Sequence, residues 1–257
     1  MGAPRNDEEK LLLARFTELG KRSVGARFYF TDFLGLAEQS VLAEALSQMP
    51  GVKCTRFGGA DGTERIMARF GDEEELFYSE PFPITAVKIS PRSQKFANTL
   101  THRDFLGALL NLGIERRCVG DIAISENVGY VFLKSDVADF VIESLERVKS
   151  TDVSLSVIED TDLPTDKLFR TEWRRIQLSG ERIDATVAKV FSLSREDGQL
   201  LIRKSLVFIN GRVVESASHT PRDGDVVSVR GYGRFIYRGA SSTSKKGKLN
   251  VDVELYV

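Results

Sequence analysis

The chain has 257 residues, 42% of them hydrophobic and 28% charged, so its composition is that of a folded protein with room for two or three domains. No apolar run approaches the roughly 18 residues of a membrane-spanning helix, and residues 1–10 lack the apolar core of a signal peptide. With two cysteines and two histidines, neither a disulfide framework nor a four-ligand zinc site is expected. We therefore expect a cytoplasmic protein without a metal or other cofactor.

The net charge of −1 hides an uneven distribution of charge along the chain. Residues 167–248 hold 17 Lys/Arg against 8 Asp/Glu, whereas the remainder holds 19 against 29. A basic segment of this kind is typical of modules that bind polyanions, but it is also compatible with an ordinary solvated surface. Charge alone leaves both interpretations open.

The first 82 residues are predicted to form a small α+β domain. Its two helices and two strands are expected at residues 6–20, 36–49, 52–57 and 65–70, where apolar residues recur at helical or strand spacing. The aromatic cluster between residues 28 and 33 could stack on bases, but core packing is favoured because the aromatic side chains share no clear surface.

A second domain is predicted over residues 83–163. Strands and helices are expected in the order β-α-β-β-α-β, at residues 85–90, 101–112, 118–125, 129–134, 136–148 and 153–158. This order is the split βαβ plan, which many RNA-recognition modules share. Tyr130 and Phe132 would lie on one face of the sheet, where burial is favoured over base stacking because the full stacking motif is missing.

After a predicted linker at residues 164–180, residues 181–257 indicate two short helices and a hairpin-rich sheet. Apolar residues at residues 183–191 have the spacing of one buried helical face. Ser194 begins the second helix with an approximate capping box. Asn210-Gly211, between strands at residues 207–209 and 212–214, is typical of a tight type I′ turn, and a third strand is expected at residues 226–230.

This C-terminal pattern resembles the RNA-binding domain named after small-subunit ribosomal protein S-four. The resemblance lies in Arg182-x-Asp184, Ser194-Arg195, Ile202-Arg203, Val207-x-Ile209-Asn210-Gly211 and Gly224-Asp225-x-x-Ser228-Val229. Two residues depart from that pattern. Gly198 inside the second helix is expected to cost about 1 kcal/mol of helix stability, and Ser205, in place of a glycine, must adopt a left-handed conformation or end the helix differently.

The segment THRDFLGALLNLGIERRCVGDI at residues 101–122, upstream of that domain, resembles the YlmH family of bacterial RNA-binding proteins. The resemblance implies a cytoplasmic, ribosome-associated factor that binds the large subunit when it carries obstructed peptidyl-tRNA, in rescue or quality control. Its implied partners are rRNA, tRNA or both. We expect a monomeric α+β protein of three parts that is not an enzyme.

The candidate RNA contacts of the C-terminal domain are mostly basic side chains, which match phosphate oxygens, together with a tyrosine that could stack on a base. They are Arg182, Arg195, Arg203, Lys204, Asn210, Arg212, Arg230, Tyr232 and Arg234. Asp184 is expected to orient Arg182 or to cap the local backbone. A second RNA patch is predicted from His102, Arg103, Arg116 and Arg117.

Two alternatives remain open from the sequence. One is an rRNA-modifying enzyme, but no glycine-rich cofactor loop, P-loop or nucleophile–base–acid set is recognised, and consecutive residues such as His102, Arg103 and Asp104 diverge around a helix. The other is an adaptor that binds protein through the acidic N-terminal half, with incidental RNA affinity.

Overall fold

The computed structural model describes residues 7–25, 27–159, 162–244 and 246–256. By its internal contacts the chain divides into two compact units, Met1–Phe169 and Arg170–Val257. Three antiparallel sheets are present in the described residues, two in the first unit and one in the second, and helices accompany each of them. The fold is therefore α+β, as predicted.

The N-terminal part of the first unit has a three-stranded sheet in the order β1-β3-β2. Its elements are α1 (Asp7–Ser23), β1 (Tyr29–Phe30), α2 (Leu36–Ser47), β2 (Cys54–Phe57), β3 (Met67–Phe70) and α3 (Glu73–Leu76). Apolar faces of α1 and α2 cover the sheet through Phe16, Leu42 and Phe70, which are buried. Phe28 and Phe33 are also buried, so core packing is confirmed for these two aromatic residues.

The central part of the first unit has a five-stranded sheet in the order β5-β6-β4-β8-β7. Its elements are β4 (Ile84–Pro91), α4 (His102–Asn111), β5 (Val119–Ser125), β6 (Val128–Lys134), α5 (Ser135–Ser144), β7 (Arg147–Val148), β8 (Thr151–Val157) and α6 (Thr165–Leu168). Helices α4 and α5 bury Phe105, Leu109 and Val141 with one face of the sheet. The four longer strands, in the spatial order β5-β6-β4-β8, thus follow the split βαβ plan.

The helix predicted at residues 136–148 ends early. It stops at Ser144, and Arg147–Val148 forms a short hairpin strand with β8. Val148 is fully buried, and Lys149 at the tight turn has a φ of 59°. Helical periodicity could not predict this early end of the helix, because Val148, the apolar residue that completes the helical pattern, lies in a strand instead.

The opposite face of the central sheet packs on the N-terminal sheet. Phe132 is fully buried there with Phe33, Met67 and Ala86. Its neighbour on the same face, Tyr130, remains partly exposed. The buried interpretation of Phe132 is therefore confirmed, although the N-terminal sheet covers it rather than a helix.

The C-terminal unit is a six-stranded sheet in the order β11-β10-β12-β13-β14-β9. Its elements are β9 (Thr171–Leu178), α7 (Ile183–Val190), α8 (Arg195–Arg203), β10 (Val207–Ile209), β11 (Arg212–Val213), β12 (Val226–Val229), β13 (Gly233–Thr243) and β14 (Leu249–Tyr256). Alternate residues of the strands, such as Val227, Phe235 and Val253, are buried with Ile183 and Val187 of α7.

The predicted linker at residues 164–180 contains regular structure. Strand β9 pairs with β14 along its whole length, from Leu178 opposite Leu249 to Thr171 opposite Tyr256. Ile176 and Leu178 contribute to the core, which is why this segment forms an edge strand rather than a linker. The other predicted domain boundaries, at residues 82 and 163, stay predictions.

Candidate nucleic-acid interface

Asp184 is the centre of the two-helix surface in the C-terminal unit. Its carboxylate is fully buried and accepts two hydrogen bonds from the Arg182 guanidinium, at 3.0 and 2.9 Å. It also accepts hydrogen bonds from the Gln199 amide at 3.2 Å and from the Ala185 N–H at 2.9 Å. Burial alone raises the pKa of Asp184, but these hydrogen bonds, with that of Arg182 the largest, outweigh it and leave the pKa below its usual value. The carboxylate is thus ionised, and it orients Arg182 as predicted.

The second helix is fixed at its first turn by the predicted capping box. Ser194 Oγ accepts a hydrogen bond from the Asp197 N–H at 3.1 Å, and Asp197 accepts one from the Ser194 N–H at 3.3 Å. Arg195 follows the cap directly. Its side chain is 64% exposed, and its Nε lies 3.9 Å from Asp184 Oδ2. The guanidinium is therefore held near the buried carboxylate while much of it faces solvent.

A groove of about 330 Å³ lies beside these residues. Its lining includes Arg182, Lys189 and Arg195, together with Gln177 at the end of β9. Three cations against the single buried carboxylate of Asp184 leave the groove positively charged, as the binding of a phosphate backbone requires. Lys189 was not among the predicted residues, although its place in the last turn of α7, seven residues after Arg182, would have suggested it.

Arg203 and Lys204 are exposed at the far end of α8. Arg203 lies eight residues after Arg195, which places the two Cα atoms about 12 Å apart along the helix axis. After them Ser205, with a φ of 54°, ends the helix. The Ser205 N–H donates to Ile202 O and the Leu206 N–H donates to Leu201 O, the hydrogen-bond pattern of a Schellman motif.

The predicted hairpin turn is present, but the side chain of Asn210 is used inside the domain. Asn210 and Gly211 have φ values of 48° and 76°, as a type I′ turn requires. Asn210 Nδ2 donates to Asp225 Oδ1 at 2.8 Å, and its Oδ1 accepts from the Val226 N–H at 2.9 Å. Asn210 therefore ties the turn to the start of β12. Arg212 is exposed on the short edge strand β11.

Arg230, Tyr232 and Arg234 do not follow one another along a strand, since the first two lie between β12 and β13. The Arg230 guanidinium lies 4.7 Å from the centre of the Phe208 ring, and that of Arg234 lies 4.3 Å from the Tyr256 ring. Because Phe235 beside it is buried on the helix side, Arg234 belongs to the opposite sheet face. The predicted residues are thus divided between the helix side and the open side of the sheet.

Tyr232 lies in the turn that precedes β13. Its ring is 49% exposed, and its centre lies 5.9 Å from that of Phe191 at the end of α7. One face of the tyrosine is therefore supported by the helix pair while half of the ring remains accessible for stacking.

The second predicted patch is not brought together. Arg103 lies in the first turn of α4, whereas Arg116 and Arg117 lie in a 3-10 turn beyond the other end of that helix, so about 12 Å of helix follows Arg103 before the chain reaches that turn. Arg116 Nη1 donates to the carbonyls of Val119 and Gly120, at 2.5 and 3.2 Å. Burial, followed by the charge of Arg65, lowers the pKa of Arg116 to about 10.

The other members of this patch differ in their surroundings. Arg117 is paired with Glu115 at 2.8 Å and lies 3.9 Å from Asp32. His102 is exposed at the start of α4. Arg103 lines a groove with Arg147 and Lys149, two cations that sequence reasoning did not associate with it because they follow α5.

In the described ranges, no group of three or more His, Cys, Asp or Glu side chains is placed to hold a metal ion. No helix among these residues combines the length and the apolar character needed to cross a bilayer. Cys54 and Cys118 are free thiols.

A helix pair with a basic groove, packed on a small antiparallel sheet, defines a small nucleic-acid-binding domain. In agreement, residues 181–227 match the family model described as "S4 domain", and residues 78–162 match "Putative RNA-binding domain in YlmH". The chain is 33% identical over 228 residues to "Ribosome-associated protein quality control protein P2" of Bacillus subtilis (strain 168), which covers 89% of this chain and 87% of that protein. The chain therefore belongs to the YlmH family.

A solved structure supports the fold. "Cell division protein ylmH from Streptococcus pneumoniae" superposes with a TM-score of 0.50 at 22% identity, over 65% of this chain and 99% of that chain.

Proposed function

We propose that this protein binds rRNA or tRNA on the large ribosomal subunit and acts in rescue or ribosome-associated quality control of stalled translation. The proposal rests on the groove lined by Arg182, Lys189 and Arg195, which lies beside the buried Asp184 carboxylate that orients Arg182. The quality-control role comes from the name of the Bacillus subtilis relative. By the same likeness we infer that the protein acts in the cytoplasm, as a monomer.

The groove suits recognition of an RNA backbone rather than of a base sequence. A guanidinium presents parallel N–H donors that match two phosphate oxygens, and the Asp184 carboxylate fixes one edge of Arg182 so that its other edge is presented in one orientation. Arg203 lies about 12 Å from Arg195 along α8. Together with Lys204 it would contact a phosphate one or two nucleotides away from the phosphate at Arg195. Such contacts read the shape of a folded RNA, its phosphates and its 2′-hydroxyl groups.

The Asp184 environment favours binding over catalysis. A general base needs an accessible lone pair and a pKa near the working pH, whereas the oxygens of Asp184 are occupied by Arg182, Gln199 and a main-chain N–H. His219 is exposed in the loop before β12, and its carbonyl accepts the hydrogen bond of the Ile183 N–H, which begins α7. We therefore propose that the protein binds RNA without modifying it.

Sedimentation with purified large subunits tests the binding role. Wild-type protein is expected to sediment with the subunits, and ribonuclease treatment is expected to release it. Sedimentation that resists ribonuclease would favour the adaptor alternative. The same rRNA and tRNA, recovered after incubation with S-adenosylmethionine or ATP, should show unaltered nucleotides by mass spectrometry. A modification in excess of the protein that disappears in His102→Gln would contradict the non-enzymatic role.

A further inference from the structure

Phe77 is the most exposed large hydrophobic side chain of the described residues. Its side chain is 92% exposed, and it ends the short helix α3 with a φ of 59°, in the left-handed region. Both properties are unfavourable for phenylalanine in an isolated protein, since bulky residues rarely adopt this backbone conformation and aromatic rings are usually buried.

The loop that carries Phe77 is held firmly from inside. The buried Arg69 guanidinium donates to the Glu73 carboxylate, to Ser79 Oγ at 3.3 Å and to the Glu80 carbonyl at 2.5 Å. These contacts bracket Phe77 on both sides in the sequence. The loop is therefore fixed in one conformation at several points.

Aromatic packing adds to this support. The Arg69 guanidinium lies 4.7 Å from the ring centre of Phe28 and 5.4 Å from that of Phe82. Tyr78 packs edge-on against Phe28, with 5.1 Å between ring centres. Phe77 is thus presented to solvent on a preorganised support, and ordering it on binding would cost little entropy.

Charges around Phe77 identify the chemistry of its partner. Glu74, Glu75 and Glu80 are exposed, and none of them forms an ion pair with another residue that the structure describes. A phosphate backbone would be repelled by this rim. An apolar pocket surrounded by Lys and Arg on a protein surface would match both the ring and the rim.

We propose that Phe77 and the carboxylates around it dock into an apolar pocket with a basic rim on a protein of the large ribosomal subunit. The inference rests on the proposed function, which brings the chain to that subunit, and it adds a protein contact to the RNA contact. In this arrangement Phe77 is the buried anchor and the carboxylates orient the approach.

The test compares intact large subunits with protein-free large-subunit rRNA as binding probes. Phe77→Asn removes the ring but suits the left-handed conformation, so it should fold at least as stably as wild type. We expect it to lower the affinity for intact subunits about tenfold and to leave the affinity for protein-free rRNA unchanged. Phe77→Tyr, which keeps an aromatic anchor, should restore most of the affinity.

Leu11→Ala is the matched control, because Leu11 is a 72% exposed apolar residue on α1. It should change neither affinity. Charge reversal by Glu74→Lys with Glu75→Lys should weaken binding to intact subunits. Stronger binding of that variant would show that the occupant is RNA and would overturn the proposal.

Three further results would also contradict the proposed Phe77 contact. Unchanged binding of Phe77→Asn to intact subunits would overturn the protein contact but leave the RNA-binding role standing. Failure of the wild type to bind either probe would overturn both the protein contact and the RNA-binding role. A wild-type dimer in analytical ultracentrifugation that Phe77→Asn converts to a monomer would instead assign the surface to a second copy of the chain.

Discussion

Gly198 of α8 lies directly against the main-chain carbonyl of Asp184 in α7: a β-carbon at Gly198 would come within 2.5 Å of that oxygen and 3.2 Å of Ala188 Cβ. The two helices can approach this closely only because residue 198 has no side chain. The glycine that the sequence presented as a weakness of the helix is therefore a requirement of the packing that positions Arg182 and Arg195.

Gly198→Ala is accordingly expected to destabilise the C-terminal unit by about 1–3 kcal/mol, because backbone atoms would have to move. Helix propensity alone predicts the opposite sign, a gain of about 1 kcal/mol. Urea unfolding of the full chain measures the difference. Gly107→Ala in α4 is the matched control, since a β-carbon there meets nothing within 4 Å and should stabilise its helix. A stability gain for Gly198→Ala would contradict the close approach.

Ser205→Gly is expected to stabilise the protein by about 1 kcal/mol. Ser205 holds a φ of 54° in the Schellman motif that ends α8, and a residue without a β-carbon adopts this conformation at lower cost. The midpoint of thermal unfolding should rise, while RNA affinity should stay unchanged because the neighbouring Arg203 and Lys204 are retained. Ser205→Val, with a branched side chain, should lower the midpoint, and equal midpoints for the glycine and valine variants would exclude backbone strain as the cause.

The features predicted correctly from the sequence depend on local chemistry. Asn210-Gly211 specifies its turn through the φ values that these two residues tolerate, and Ser194 begins its helix by bonding to a residue three positions later. Strands β13 and β14 were not predicted. β13 contains Gly239 at a φ of 82° and a change of register after Tyr237, so its alternation is interrupted. β14 pairs on its other side with β9, which is distant in sequence.

The candidate site was predictable in residue type but not in arrangement. A row of arginines indicates a basic protein surface, yet nothing local distinguishes Arg195, which faces solvent, from Arg116, whose guanidinium bonds to the carbonyls of Val119 and Gly120. Arg116 also lies beside Arg65, which donates to the Arg116 carbonyl at 3.3 Å and reaches Phe33 O at 3.0 Å. The two Arg65 contacts join residues that are 51 and 32 positions apart, so the sequence pattern cannot reveal them.

Arg116→Ala and Arg103→Ala are therefore expected to act on different properties. Loss of the Arg116 hydrogen bonds should lower the free energy of unfolding by about 1–3 kcal/mol, because the partly buried carbonyls of Val119 and Gly120 each lose a donor, and Arg65 Nε continues to donate only to Val119 O. Arg103, exposed in the first turn of α4, should change stability by less than about 0.5 kcal/mol. If the α4 surface contacts RNA, Arg103→Ala should instead weaken binding by about 1–2 kcal/mol.

Both variants can be compared by chemical unfolding and by filter binding to large-subunit rRNA. Arg117→Ala serves as a control of equal charge, since Arg117 is already paired with Glu115. Wild-type stability of the Arg116→Ala protein would show that the hydrogen bonds from Arg116 to the Val119 and Gly120 carbonyls contribute little to the free energy of unfolding.

Asp184→Asn is expected to change how stability depends on pH. The folded-state pKa of Asp184 is lowered, so the carboxylate contributes stability that is present above its unfolded pKa, about 3.9, and is lost as the pH falls through the lower folded value. The variant should be less stable than wild type at pH 7, and the difference should shrink as the pH falls below about 4. Unfolding midpoints between pH 2.5 and 7 measure it. Glu196→Gln, which removes an exposed carboxylate on α8, should differ little in stability from the wild type at pH 7.

Arg195→Ala combined with Arg203→Ala is expected to weaken RNA binding by about 2–4 kcal/mol. Both guanidinium groups lie on the exposed side of α8, so the fold should survive, and two fewer phosphate contacts should release fewer counterions. Affinities measured between 50 and 300 mM KCl should therefore give a slope of log K against log salt that is shallower by about 2.

Arg175→Ala with Arg238→Ala is the matched control for the Arg195, Arg203 double variant. It removes the same net charge from the same unit, but at residues already paired with Asp252 and Glu254 across the sheet. A long-range effect of net charge would lower binding equally in both double variants, whereas direct phosphate contact lowers it only for Arg195 and Arg203. Wild-type affinity and slope in the folded Arg195, Arg203 variant would remove the helix pair from the RNA interface.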